Sequence, residues 1–190
     1  MTIIDPPSPA AADASAFRAA IRDVADFPSP GITFRDVTPL LADPGLLRRA
    51  ARALRLASVA GGAEFGSVAG IESRGFVFAA AVAGGDGPPL GLHILRKPGK
   101  LPPPVLSRSY ALEYGTDALE LRDGLIRPGE RVLLIDDVLA TGGTAAAAVQ
   151  LLKSAGAIVV GAAFLLEIGG LGGRAALEAA GVTTTAVVTL

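Results

Sequence analysis

Residues 131–145 read RVLLIDDVLATGGTA, and the way this stretch parses decides the fold. Val132, Leu133, Leu134 and Ile135 form an apolar run of strand length, as expected for a strand covered on both faces. Asp136 and Asp137 follow at its predicted carboxyl end. Then come Ala140-Thr141-Gly142-Gly143-Thr144 and an alanine-rich helix predicted over 145–154. A strand, a turn of small residues and a helix start aim unpaired backbone N–H groups and the positive helix end at one point, which suits a phosphate. Gly142 and Gly143 let the backbone approach the anion closely, and the Thr141 and Thr144 hydroxyls add donors. The paired acids suit the vicinal hydroxyls of a sugar, or a cation held by that sugar. A Gly-Gly turn alone is an ordinary connection; a strand, two acids and this turn together point to function. No lysine follows the glycines, so the stretch is not the phosphate loop that ends in Gly-Lys-Ser/Thr.

Working outward, strands are predicted at 66–70, 90–95, 158–166 and 184–188. Helices are predicted from Asp13 or Ser15 through Val24, over 44–59 with Asp43 as cap and Pro44 at the first position, and over 76–83 and 171–180. Strands alternate with helices, so the expected fold is α/β with a mostly parallel sheet flanked by helices. Ligands in such sheets bind beyond the carboxyl ends of the strands. Asp136, Glu72 and Arg96 all fall at predicted carboxyl ends and can converge on one crevice. Residues 1–12, rich in Pro and Ala, read as a loose tail before a single domain over 13–190.

The 190 residues are 51% hydrophobic and 18% charged, which indicates a globular chain. A net charge of −1 gives no basic field for nucleic acid. The absence of cysteine excludes disulfides and thiolate zinc sites, and a single histidine excludes a multi-His metal site. No apolar run is long enough to span a bilayer, and the first residues lack the charge pattern of a signal peptide, so a cytoplasmic protein is expected.

Four further motifs bear on chemistry. Glu72-Ser73-Arg74-Gly75 joins a strand to a helix, and Arg74 can hold a second anion with bidentate donors. Arg96, Lys97 and Lys100 surround a turn at another strand end, where cations can meet a pyrophosphate. Phe34 and Arg35 lie in a Pro-flanked segment; the ring suits either core packing or stacking on a flat heteroaromatic base. Glu113 and Tyr114 sit in a long polar loop, where the residues alone favour a solvated hairpin over a proton-handling lid. Leu119 to Leu121 can close that hairpin. His93, flanked by Leu92 and Ile94, reads as a partly buried, satisfied side chain. The Gly170–Ala175 stretch, GLGGRA, reads as a turn and not a dinucleotide site, because too little chain follows it.

The central stretch resembles the phosphoribosyl-pyrophosphate-binding signature of the type I phosphoribosyltransferases. DFPSPGITFRDVTPL (26–40), GIESRGF (70–76), RKPGKLP (96–102) and YALEYG (110–115) resemble the members of that family that act on adenine. The resemblance implies a five-stranded parallel sheet, a small N-terminal hood mainly over 13–40 and a flexible catalytic loop at about 97–118. It implies Mg²⁺-dependent transfer of the 5-phosphoribosyl group from phosphoribosyl pyrophosphate to adenine, giving AMP and pyrophosphate, by a cytoplasmic homodimer. Another base of the same family (xanthine, hypoxanthine or orotate), or a non-catalytic ligand-sensing regulator, are the alternatives. Ala140, Thr141, Gly142, Gly143 and Thr144 would bind the 5-phosphate, and Asp136 and Asp137 the ribose hydroxyls, with Mg²⁺ held mainly through substrate near these acids. Glu72, Ser73, Arg74, Arg96, Lys97 and Lys100 would meet pyrophosphate, with a non-proline cis peptide at Glu72–Ser73. Phe34 and Val138 would sandwich adenine, placed by Thr33 backbone and the Arg35 side chain. Glu113 and Tyr114 would close over the reaction.

Overall fold

The computed structural model describes residues 9–59, 64–111 and 116–190. Five parallel strands form the main sheet in the order β4-β3-β7-β8-β9, comprising β3 (Ser67–Ile71), β4 (Gly91–Leu95), β7 (Arg131–Leu139), β8 (Ile158–Glu167) and β9 (Thr184–Thr189). This is the α/β architecture that the alternating pattern predicts.

Period-2 alternation along the central strands divides the core in two. Val132 and Leu134 of β7, Ala162 and Phe164 of β8 and Ile71 of β3 face one cluster. Leu133 and Ile135, Ala163 and Leu165, and Val68 face the other. Helix α5 (Gly143–Ser154) covers the first face with Ala148, Val149, Leu151 and Leu152. Helices α1 (Pro9–Ala20), α2 (Thr38–Ala42), α3 (Pro44–Val59) and α4 (Arg74–Ala83) cover the second with Phe17, Leu40, Leu54, Phe78 and Val82. Burial on both faces explains why β7 reads as an unbroken apolar run. Helix α3 starts as expected: Leu46 N–H donates to Asp43 Oδ1 at 2.9 Å, with Pro44 at its first position.

Several boundaries differ from the sequence reading, four of them in ways that bear on the site. Helix α1 already includes residues 9–12 and stops at Ala20, because Arg22–Val24 form a short strand, β1, pairing antiparallel with β2 (Phe34–Asp36). Strand β7 runs four residues past Ile135, so Asp136 and Asp137 lie inside its last turn of ladder; backbone pairing with β8 continues to Leu139↔Glu167 whatever the side chains are. Helix α5 begins at Gly143, two residues earlier than expected. The region after Lys97 carries a full antiparallel hairpin of β5 (Val105–Ala111) and β6 (Thr116–Arg122), with Leu119 and Leu121 buried.

At the amino ends of the strands Glu130 ties three of them together. Its Oε1 accepts from Ser67 Oγ at 2.6 Å and lies 2.8 Å from His93 Nε2; its Oε2 accepts from Arg127 N–H at 3.1 Å. This satisfies His93, as expected. Burial pushes the Glu130 carboxyl up, but the bonds from Ser67, His93 and Arg127 outweigh it and hold it at about 2.

The phosphate-type turn is seated on α6 (Gly173–Ala179). Gly142 has φ +83°, and a Cβ there would stand 2.8 Å from Gly173 O. A Cβ on Gly173 would stand 2.3 Å from Ala140 O. Both glycines are required by close backbone contact, so the GLGGRA segment is the floor of that turn.

Replacing Glu130 by Ala is expected to cost about 1–3 kcal/mol near neutral pH, because Ser67 and His93 lose a buried charged acceptor. The Glu130 contribution is fully present above its ordinary carboxylate value and is lost as pH falls toward about 2. Urea unfolding of both chains across that acid range should therefore show the difference shrinking. Gly142→Ala combines a left-handed backbone with the clash on Gly173 and is expected to destabilise by about 1–3 kcal/mol in the same measurement.

Candidate active site

The carboxyl ends of β3 and β7 and the start of α5 enclose a crevice of about 610 Å³. Phe34, Glu72, Ser73, Arg74, Lys97, Asp136, Asp137, Val138 and residues 140–144 line it. Most of the residues singled out in the sequence thus meet in one place. A larger groove of about 890 Å³ lies between α3 and the end of α4, lined by Arg48, Arg52, Arg55, Leu47 and Leu56. It has no paired acids, and the chemistry belongs to the smaller crevice.

Helix α5 opens at Gly142 without a side-chain cap, so its first-turn amides are left unpaired by helix geometry. They face the crevice together with Thr141 and Thr144. An anion placed there meets both the amides and the positive helix end.

The two acids differ. Asp137 is buried, and its Oδ2 has no hydrogen-bond partner among the described residues, although Arg74 Nε stands 2.7 Å away as an ion contact. A buried acceptor left open costs free energy until a donor arrives. Asp136 accepts the Asp137 N–H at 2.9 Å. Burial, and then the Asp137 charge beside it, holds the Asp136 carboxyl well above the usual carboxylate range. Gly75 makes room for it: a Cβ at Gly75 would stand 2.5 Å from Asp136 Oδ1. The pair therefore places two carboxyl groups side by side at the crevice wall, which matches a vicinal diol.

The Glu72–Ser73 peptide is cis, and Arg74 starts α4 directly after it. The Arg74 guanidinium lies 4.9 Å over the Phe34 ring, whose other neighbour is the Phe27 ring edge-on at 5.1 Å. Arg74 thereby links the β1–β2 unit to the acids.

The remaining cations are arranged differently from the sequence expectation. The Glu72 carboxylate is directed to protein partners: Arg96 Nε and Nη2 donate to it at 3.2 and 3.3 Å, and Lys97 N–H at 2.8 Å. The Lys97 N–H bond first, then Arg96, holds Glu72 below its ordinary value. Glu72 is thus an anchor for the 96–100 turn, and Arg96, spent on Glu72, is absent from the crevice lining. Lys100 is exposed, and its carbonyl lies 3.4 Å from Arg96 Nη1. Thr33 is exposed and Arg35 pairs with Asp23 at 2.5 Å; neither lines the crevice. Glu113 and Tyr114 lie outside the described residues. Asp117, which sequence reasoning passed over, receives Lys97 Nζ. Its only signal was an acid three residues after Tyr114 in a hairpin.

A phosphoribosyl transferase domain model matches residues 36–176. The chain is 58% identical over 160 residues to an adenine phosphoribosyltransferase of Synechococcus sp. (strain JA-3-3Ab), covering 83% of this chain and 88% of that one. The crystal structure of an adenine phosphoribosyltransferase from Rhodothermus marinus superposes with a TM-score of 0.84 at 46% identity, covering 95% of this chain and 99% of that one. The Saccharomyces cerevisiae adenine phosphoribosyltransferase, complexed with an imino-altritol bisphosphate and adenine, superposes with a TM-score of 0.85 at 32% identity, covering 93% and 99%. By fold, crevice and these matches, the chain belongs to the phosphoribosyltransferase family, among the adenine phosphoribosyltransferases.

Proposed function

We propose that the chain transfers the 5-phosphoribosyl group of phosphoribosyl pyrophosphate to adenine, releasing pyrophosphate and forming AMP. The observation that carries this reading is one crevice holding an uncapped helix start, the paired acids Asp136 and Asp137, a cation at Arg74 and an aromatic face at Phe34. Those features match, in order, a 5-phosphate, a ribose hydroxyl, a leaving pyrophosphate and a flat base.

The 5-phosphate rests on the amides of residues 141–144, and the ribose hydroxyls on Asp136 and Asp137. Adenine packs between Phe34 and Val138; Thr33 and Arg35, which lie outside the crevice lining, are assigned to its edge by resemblance alone. Adenine N9 attacks the anomeric carbon as the bond to pyrophosphate breaks; positive charge grows on the sugar ring and negative charge on the departing oxygen. Arg74 and Lys97 stabilise the departing charge, and the backbone cradle holds the reactants aligned. Glu113 and Tyr114, assigned by resemblance alone, close over the site and serve the base proton and water exclusion.

Among the described residues no group of three or more His, Cys, Asp or Glu forms a metal cage. The hard oxygens of Asp136 and Asp137, of which Asp137 Oδ2 is buried with Arg74 as an ion contact and no hydrogen bond, fit Mg²⁺ that is held mainly through substrate oxygens. When bound, it supplies charge neutralisation on the pyrophosphate. No described helix is long and apolar enough to cross a membrane. We read the enzyme as a cytoplasmic homodimer on the family resemblance.

A pyrophosphate-release assay with adenine, hypoxanthine, xanthine and orotate is expected to give turnover with adenine. Faster turnover of another base would reassign the substrate. Binding of phosphoribosyl pyrophosphate without turnover of any base would instead indicate a ligand-sensing regulator. Arg74→Ala is expected to lower kcat about 10²-fold, as loss of a charge-stabilising donor does. Phe34→Ala is expected to raise KM for adenine about tenfold while leaving KM for phosphoribosyl pyrophosphate nearly unchanged, the loss of one stacking face.

A further inference from the structure

The cations meant for a pyrophosphate already hold carboxylates. Arg74 meets Asp137, Arg96 meets Glu72, and Lys97 meets Asp117. The third pair differs from the others because its two halves belong to different units. Lys97 lines the crevice, whereas Asp117 is the second residue of β6 in the hairpin.

Lys97 Nζ donates to Asp117 Oδ2 and, at 3.0 Å, to Tyr110 Oη. Tyr110 Oη in turn donates to Asp117 Oδ2 at 3.2 Å, and the two residues face each other across the hairpin. The Lys97 backbone is fixed separately, by its N–H bond to Glu72. Its side chain can therefore swing without moving the turn. The hairpin base is fixed too: Arg96 and Glu120 exchange backbone bonds at 2.9 and 2.7 Å, and Leu119 and Leu121 are buried.

We propose that Asp117 is a positioning residue that holds Lys97 in the ligand-free chain and yields it to the pyrophosphate of the substrate. This rests on the reaction proposed above. Lys97 and Asp117 side chains are 37% and 28% exposed, so parting them costs little. A pyrophosphate carries more negative charge than one carboxylate and wins the exchange by simple Coulomb attraction. Competition from Asp117 for Lys97 weakens the hold on product pyrophosphate and speeds its departure.

Calorimetric titration of inorganic pyrophosphate into the full chain tests the exchange. Asp117→Asn removes the competing charge and is expected to bind pyrophosphate about fivefold tighter, the contribution of a half-exposed ion pair. Both kcat and KM for phosphoribosyl pyrophosphate are expected to fall in this variant, because product leaves more slowly. Asp117→Glu, which keeps the charge, is expected to restore wild-type affinity. In a Lys97→Met background Asp117→Asn is expected to change nothing further. Wild-type binding with equal or weaker binding by Asp117→Asn overturns the exchange alone. An Asp117→Asn effect that persists without Lys97 overturns it as well. A wild-type chain that binds no pyrophosphate overturns both the exchange and the reaction on which it rests.

Discussion

Five strands running the same way put all their carboxyl ends at one edge of the sheet, and everything in the crevice depends on that common direction. Parallel pairing of β3 with β7 sets Gly70 beside Ile135, so the turns that follow the two strands must lie side by side. One turn carries Ser73 and Arg74; the other carries residues 140–144. Neither anion seat is useful alone. Together they suit the two ends of a molecule bearing a phosphate and a pyrophosphate, the substrate proposed above, with the acids of β7 between them. The core supports this by burying β7 on both faces, which leaves its last residues as the place where polar groups can surface.

The crevice is built at some cost. Asp137 is buried with an oxygen that no hydrogen bond satisfies among the described residues, and Asp136 is held in a setting that disfavours its charge. Arg74 offsets part of that cost by standing against Asp137 and over Phe34. The same pattern repeats outward, since Glu72 steadies Arg96 and Asp117 steadies Lys97. Each cation has a carboxylate until a better anion arrives. Such pairing keeps a strongly charged site folded without ligand, and it leaves differences in anion charge to drive rearrangement.

The sheet, its helices and the phosphate turn were legible because they rest on local chemistry: an apolar run, alternating faces, a Gly-Gly pair before a helix. Residues 136, 137 and 140–144 could be assigned to one crevice for the same reason. What was not legible depends on pairings between distant segments. The β1–β2 pairing consumes Arg22–Val24, which look like the end of a helix. Glu72 looks like a site acid but meets Arg96 and Lys97, and nothing in either motif specifies that contact. Gly173 looks like part of a loop, and its need for hydrogen in place of a side chain comes from Ala140 O. Asp117 was invisible because its partner lies twenty residues away across a hairpin.

The central claim is that a sugar phosphate lies with its phosphate on the α5 start and its hydroxyls on the β7 acids. Backbone amide NMR shifts on titration with ribose 5-phosphate test it most directly. The account predicts the largest shifts at Thr141, Gly142, Gly143 and Thr144, with smaller ones at Asp136 and Asp137. Shifts confined to the groove between α3 and α4, or none in residues 136–144 at saturation, would contradict it.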